Sequence, residues 1–239
     1  MYGRDSARIY EVQHRQRGKD YPGEAKDVAQ EVLARFPGAR SVLDVACGTG
    51  GHLVPFRDLF AGPVEGLELS EPMLDLARAE LPDVPLHQGD MRDFDLGRTF
   101  DVVTCLFASI GYVTSEDELR ATVARLAAHA RPGGVVAVEP WWFPEKFLDL
   151  HVSGSLVEAD GTTLARVSHT VLDGDASRME VHYLLADPAG GVRHFTEVHR
   201  AMLFTRPQYE AAFRAAGLSV AYVPGIQCGR GLFVGTRTA

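Results

Sequence analysis

The sequence predicts an α/β fold: a doubly wound, mostly parallel sheet with an antiparallel β insertion and a helical N-terminal segment. Three observations predict it. Short apolar runs alternate with amphipathic stretches from residue 41 to 140, and a glycine-rich turn, Gly48-Thr49-Gly50, follows the first of those runs. Between about 152 and 204, period-two alternation replaces the helical period. Strands that alternate with helices build βαβ crossovers, and the resulting parallel sheet needs helices on both faces.

The elements follow in order. Residues 1–36 read as a helical segment that can act as a lid. Residues 41–46 (SVLDVA) form a strand ending at the glycine turn, and 51–60 can be helical. Residues 63–69 (PVEGLEL) form the second strand. Residues 71–81 read as an amphipathic helix with Met73, Leu74, Leu76, Ala77 and Leu81 apolar. Short strands at 85–88 and 100–106 (FDVVTCL) come next, then a helix over 115–129. Pro132-Gly133-Gly134 punctuates before a strand at 135–139. Beyond Pro140, turn signals at Ala159-Asp160-Gly161, Asp173-Gly174-Asp175 and Pro188-Ala189-Gly190-Gly191 bound TLARVSHTVL and RMEVHYLLA, the mark of consecutive hairpins. Residues 207–216 are helical and stop at Gly217. LSVAYV and LFVGT close the chain as strands. The predicted organisation is an N-terminal segment over 1–36, an α/β domain from 37–144 and 205–239, and a β insertion over 145–204.

Composition excludes several classes. The 239 residues are 46% hydrophobic and 23% charged, ordinary for a globular protein. A net charge of −8 argues against a nucleic-acid partner, because gripping many phosphates takes a basic excess. The sequence has no apolar run of the ~18 residues a membrane span requires. Its N-terminus also lacks the apolar core of a signal peptide. Three scattered cysteines point to neither disulfides nor zinc, and the nine histidines show no metal-ligand spacing. The expectation is a cytoplasmic protein without a metal.

An open α/β sheet binds its ligand at the carboxyl ends of the strands. There the first loop reads Asp44-Val45-Ala46-Cys47-Gly48-Thr49-Gly50. Glycines let the backbone approach a ligand closely. Leu53 stands where a dinucleotide fold would place its third glycine. The pattern D-x-x-x-G-x-G is the form this loop takes in class I S-adenosylmethionine (SAM) methyltransferases, whose ligand is a zwitterion without phosphate. Glu68 ends the second strand about 20 residues after Gly48, where a carboxylate reaches ribose hydroxyls. Asp90 could accept from an adenine amino group, with Met91 against the ring. SAM is therefore the expected cofactor, held by Asp44, Gly48, Gly50, Glu68, Asp90 and Met91.

The chain also resembles the dTDP-aminosugar N,N-dimethyltransferases of macrolide antibiotic pathways, of the desosamine and mycaminose type. The matching stretches are RGKDY (17–21), VLDVACGTG (42–50), GLELSEPML (66–74), LHQGDMRDF (86–94), SIGY (109–112), GGVVAVEPWWFPE (133–145), ARVSH (165–169), RMEVHY (178–183) and GRGLFVG (229–235). The resemblance implies stepwise transfer of two methyl groups to the amine of a dTDP-linked amino-dideoxyhexose, usually at C-3, by a homodimer. Position by position, it puts Tyr10, Tyr21, Ala46, Glu68, Asp90 and Met91 on the cofactor. Tyr2, Tyr112, Trp141, Trp142 and Arg230 fall on the sugar-nucleotide side. Mycaminose-type relatives carry histidine at the position of Tyr112, so one imidazole base is not general to the family.

Methyl transfer from a sulfonium to an amine disperses charge, so positioning carries most of the catalysis. Tyr112 can orient the amine or take its proton through water, and Tyr2 can close over the site. Arg230, between Gly229 and Gly231, suits phosphate oxygens. Trp141 and Trp142 suit stacking on thymine or sugar. Arg166, Arg178 and Arg200 lie on insertion strands, either walling the pocket or on a solvated face. Competing readings are a 4-amino sugar or another small amine or hydroxyl as acceptor, a nucleic-acid or protein-amide methyltransferase, an NAD-dependent oxidoreductase, and a non-catalytic scaffold. The missing Asn/Asp-Pro-Pro-aromatic motif weighs against an RNA, DNA or amide acceptor, and the missing third glycine against NAD.

Overall fold

The computed structural model describes residues 18–159 and 161–238. Helix α1 (Tyr21–Arg35) starts at Asp20, whose side chain accepts the Gly23 N–H at 3.0 Å, with Pro22 in the first turn. It buries Ala25, Val28, Ala29 and Val32 and packs on α2 (Leu53–Leu59) and on the sheet behind it.

That sheet has seven strands: β1 (Val42–Val45), β2 (Val64–Glu68), β3 (Leu86–Gln88), β4 (Phe100–Cys105), β5 (Ala130–Val138), β10 (Leu218–Val223) and β11 (Leu232–Arg237). Their order is β3-β2-β1-β4-β5-β11-β10. The first five run parallel, while β11 lies antiparallel between β5 and β10. Every residue of β1 and β4 is buried, as strands covered on both faces must be. One apolar cluster joins α1 and α2 to one face. A second joins α4 (Glu116–His129) and α5 (Arg206–Ala215) to the other. α3 (Glu71–Glu80) packs on β2 and β3. The order reverses between β1 and β4, which opens a crevice at their carboxyl ends.

One boundary differs from expectation. β5 begins five residues before the predicted 135, and the Pro-Gly-Gly run lies inside it. The pairing jumps from Phe100–Ala130 to Val102–Val135, so the surplus residues form a bulge with Gly133 at φ +77°. The run bends the strand without ending it.

Strands β6 (His151–Ala159), β7 (Thr162–Asp173), β8 (Ala176–Asp187) and β9 (Gly191–Met202) form a separate antiparallel sheet in sequential order. One face carries Arg166, Ser168 and Thr170 beside Met179, Val181 and Tyr183. β9 touches a 3-10 turn at Ser109–Tyr112 that follows β4, and this sheet thereby stands over the crevice. No described helix is long and apolar enough to cross a membrane.

Candidate active site

The floor of the crevice is the loop after β1. Ala46 and Gly48 adopt left-handed φ of 59° and 58°. A Cβ on Gly48 would meet nothing within 4 Å, so its backbone lies open to the cavity. Glu68, ending β2, spans the gap: Oε2 accepts the Gly48 N–H at 3.0 Å and Oε1 the Ser70 N–H at 2.8 Å. The carboxylate is thus fixed in orientation before any ligand arrives.

A second strained loop follows β4, where Phe107 and Ala108 have φ of 53° and 60°. Left-handed φ is costly for residues with a Cβ and persists where the surroundings enforce it. Here Glu139, at the end of β5 and with no exposure, enforces it. Its Oε2 accepts the Phe107 N–H at 2.6 Å, and its Oε1 accepts both Nε and Nη2 of Arg230. Lys19 sits over the other side of this arrangement, with Nζ 3.6 Å from the Phe107 ring centroid.

The wall comes from the antiparallel sheet and the segment after β5. Trp141 donates its Nε1–H to Ser177 Oγ at 2.9 Å, and Trp142 stands edge-on to it. Arg166, nine-tenths buried, bonds Ser168 Oγ at 2.9 Å, while its Nε has no partner among the described residues. Tyr112 reaches from the 3-10 turn to His199 Nδ1 at 3.0 Å, and His199 Nε2 lies 3.1 Å from Glu197 Oε2. Floor and wall enclose one cavity of about 1030 Å³. That is the upper end for a cleft holding one small molecule.

A family model described as a methyltransferase domain matches residues 42–134. Over 98% of its length the chain is 57% identical to dTDP-3-amino-3,4,6-trideoxy-alpha-D-glucopyranose N,N-dimethyltransferase of Streptomyces venezuelae, of which 99% is covered. It is 56% identical, over 98% of the chain and 91% of the relative, to dTDP-3-amino-3,6-dideoxy-alpha-D-glucopyranose N,N-dimethyltransferase of Streptomyces fradiae. The chain belongs to the dTDP-aminosugar N,N-dimethyltransferase family. Among solved structures, SAM-bound CalS10, an amino pentose methyltransferase from Micromonospora echinaspora, superposes with a TM-score of 0.88. It is 53% identical and covers 96% of this chain, with 97% of its own length matched.

The cavity of this dimethyltransferase gathers Ala46, Gly48, Glu68, Asp90, Met91, Tyr112, Trp141, Trp142, Arg166 and Arg230. Other expected residues stand differently. Arg178 lies on the outward face of β8 with Glu180, because side chains alternate along a strand and Met179 and Ser177 take the inward positions. Asp44, Gly50 and Tyr21 lie behind the cavity lining. Asp44 accepts from Thr104 Oγ1 at 2.6 Å. A Cβ on Gly50 would meet Leu81 at 2.8 Å, so that glycine serves packing. The Tyr21 ring fills the space above Gly51. Arg200 reaches the rim, paired with Asp173. Asp90 lines the cavity with its carboxylate held by Arg92, which keeps it below the usual carboxylate range. Tyr2 and Tyr10 lie outside the described residues.

Four residues escaped the sequence reading: Lys19, Glu139, Glu197 and His199. Glu139 carried a usable signal, since it ends a strand as Glu68 does. The role of His199 depends on a partner 87 residues away, which local pattern does not encode.

Two buried carboxylates are shifted in opposite directions. Burial would raise Glu24, but His52, Lys19 and Cys228 hold it at about 2. Burial pushes Asp44 up to about 6 despite His52 and Thr104. Because the folded value of Asp44 exceeds its unfolded one, the fold loses stability as pH rises from about 4 to 6. Asp44→Asn is therefore expected to stabilise the protein by about 2 kcal/mol at pH 8 and by little at pH 4. Urea midpoints at both pH values test this, and an equal gain at each would refute it.

Proposed function

We propose that this dimethyltransferase transfers two methyl groups in succession from SAM to the amine of a dTDP-linked 3-amino-dideoxyhexose. The observation that carries this reading is a continuous cavity, which joins the strand-end loops to a wall bearing a buried arginine. The open backbone at Gly48 and the prefixed carboxylate of Glu68 fit a nucleoside, and bound SAM supplies an electrophilic methyl on a sulfonium. Glu68 takes the ribose hydroxyls, while Asp90 and Met91 take the adenine. Asp44, Gly50 and Tyr21 support that pocket from behind, and Tyr10 adds to it from the N-terminal segment.

On the acceptor side, Trp141 and Trp142 offer faces for thymine or sugar. Arg166, buried in the wall, and Arg230, whose guanidinium lies 5.8 Å from the Trp141 ring and 5.7 Å from the Trp142 ring, are the cations offered to the diphosphate. Tyr112 orients the amine, with Tyr2 closing over it. The test is incubation with SAM and a panel of dTDP-3-amino and dTDP-4-amino dideoxyhexoses, read by mass spectrometry. Two successive methyl increments on a 3-amino sugar are expected, whereas no increment on any member refutes the reading.

The same reading includes a cytoplasmic homodimer that binds no nucleic acid. A dimer is supported by Val152, Leu156, Val167, Leu184, Val192 and Val198, all largely exposed on the outward face of the antiparallel sheet. A monomer in sedimentation equilibrium at micromolar concentration would count against it.

A further inference from the structure

We infer that His199, backed by Glu197, is the proton acceptor behind Tyr112 and permits the second methyl transfer. This inference rests on the function proposed above.

The chemistry sets the problem. A primary amine can enter from solution already neutral. Once methylated it is a secondary ammonium formed inside the cavity, and its nitrogen has no lone pair until one proton leaves. The proton needs an acceptor within reach.

The structure places a hydrogen-bonded chain at that point. Tyr112 is 43% exposed and lines the cavity, with its hydroxyl 3.0 Å from His199 Nδ1. His199 Nε2 is 3.1 Å from Glu197 Oε2, and both side chains are largely buried against the sheet. A carboxylate only accepts, so Glu197 selects the tautomer with the proton on Nε2. Nδ1 is then left with a lone pair for the phenol. In the transfer an ammonium N–H bond breaks, the phenol oxygen takes that proton, and the phenol's own proton forms the Nδ1–H bond. The imidazolium is stabilised by Glu197, and its added proton passes to water when product leaves.

Among the described residues, the other charged groups nearby are held elsewhere. Arg166, two strands away, meets Met179, the residue opposite His199. Arg178 lies on the other face, bound to Glu180, and Arg200, at the cavity rim, is bound to Asp173. His199 and Glu197 fall on the cavity face because they sit two apart on β9, while Val198 between them points outward.

The test compares wild type, His199→Gln and Glu197→Gln in time courses with enzyme in excess over a dTDP-3-amino sugar and SAM in excess over both, scoring mono- and dimethylated product across the neutral pH range. Glutamine can still bond the phenol but cannot carry its proton. In His199→Gln the second transfer should fall roughly ten-fold further than the first, so monomethylated sugar accumulates. If wild type shows a second step that rises with pH, that rise should flatten in the variant. Glu197→Gln should act in the same direction, which covers a His199 variant that fails to fold. Equal slowing of both transfers, or an unchanged ratio, overturns the relay while leaving the proposed function standing. A wild type that methylates no panel member overturns the function and the relay with it. Nitrogen-15 NMR of the free protein gives a readout without turnover: His199 should carry its proton on Nε2, and finding it on Nδ1 overturns the relay directly.

Discussion

Arg230→Ala is expected to destabilise the fold by about 3–5 kcal/mol, the cost of leaving a buried charge without its partner. The charge at stake is Glu139, which is fully buried and spends one carboxylate oxygen on Arg230 and the other on the Phe107 amide. Removing the guanidinium strands that carboxylate and loosens the left-handed turn at Phe107. The variant should therefore unfold at markedly lower denaturant. The double variant Arg230→Met/Glu139→Gln should recover most of the loss, because no buried charge remains. Single and double variants compared by chemical denaturation decide the matter. A single variant as stable as wild type would show that Glu139 does not depend on Arg230. Arg230 is spent at least in part on holding Glu139, and binding measurements on the variant must be made where it is still folded.

Glu68→Ala is expected to weaken SAM binding roughly 100-fold, since two hydrogen bonds to a charged acceptor together contribute about 3 kcal/mol. The carboxylate is held by Gly48 and Ser70 N–H groups, so a ribose meets it without a reorganisation cost. Both amides lie at the cavity edge and can take water when the side chain is gone, so the fold should survive. Calorimetry with SAM gives the answer, and an affinity within three-fold of wild type would remove Glu68 from the site.

The legible part of this protein is what near neighbours in the chain dictate. The apolar runs at β1, β2 and β4, the helical period over α3 and the hairpin turns each express an interaction spanning a few residues, and the α/β core and antiparallel sheet follow from them. The Pro-Gly-Gly bulge was read as a strand start because a turn signal has the same local form whether it ends a strand or bends one. The floor of the site was legible for the same reason: Ala46, Gly48, Glu68, Asp90 and Met91 sit at strand ends, and strand ends meet at the crevice of any such sheet.

The wall was decided only by tertiary structure. Which of Arg166 and Arg178 faces the cavity depends on strand register, and one residue of slip exchanges the two faces. The pairing of Glu139 with Arg230, 91 residues apart, and of Tyr112 with His199, 87 apart, exists only once separate elements have packed. Sequence by itself determined the fold, the family and the strand ends that meet at the crevice. Packing determined which charges are spent on holding the loops and which remain to meet a substrate, because burial and partner, not residue type, set what a charged side chain can do.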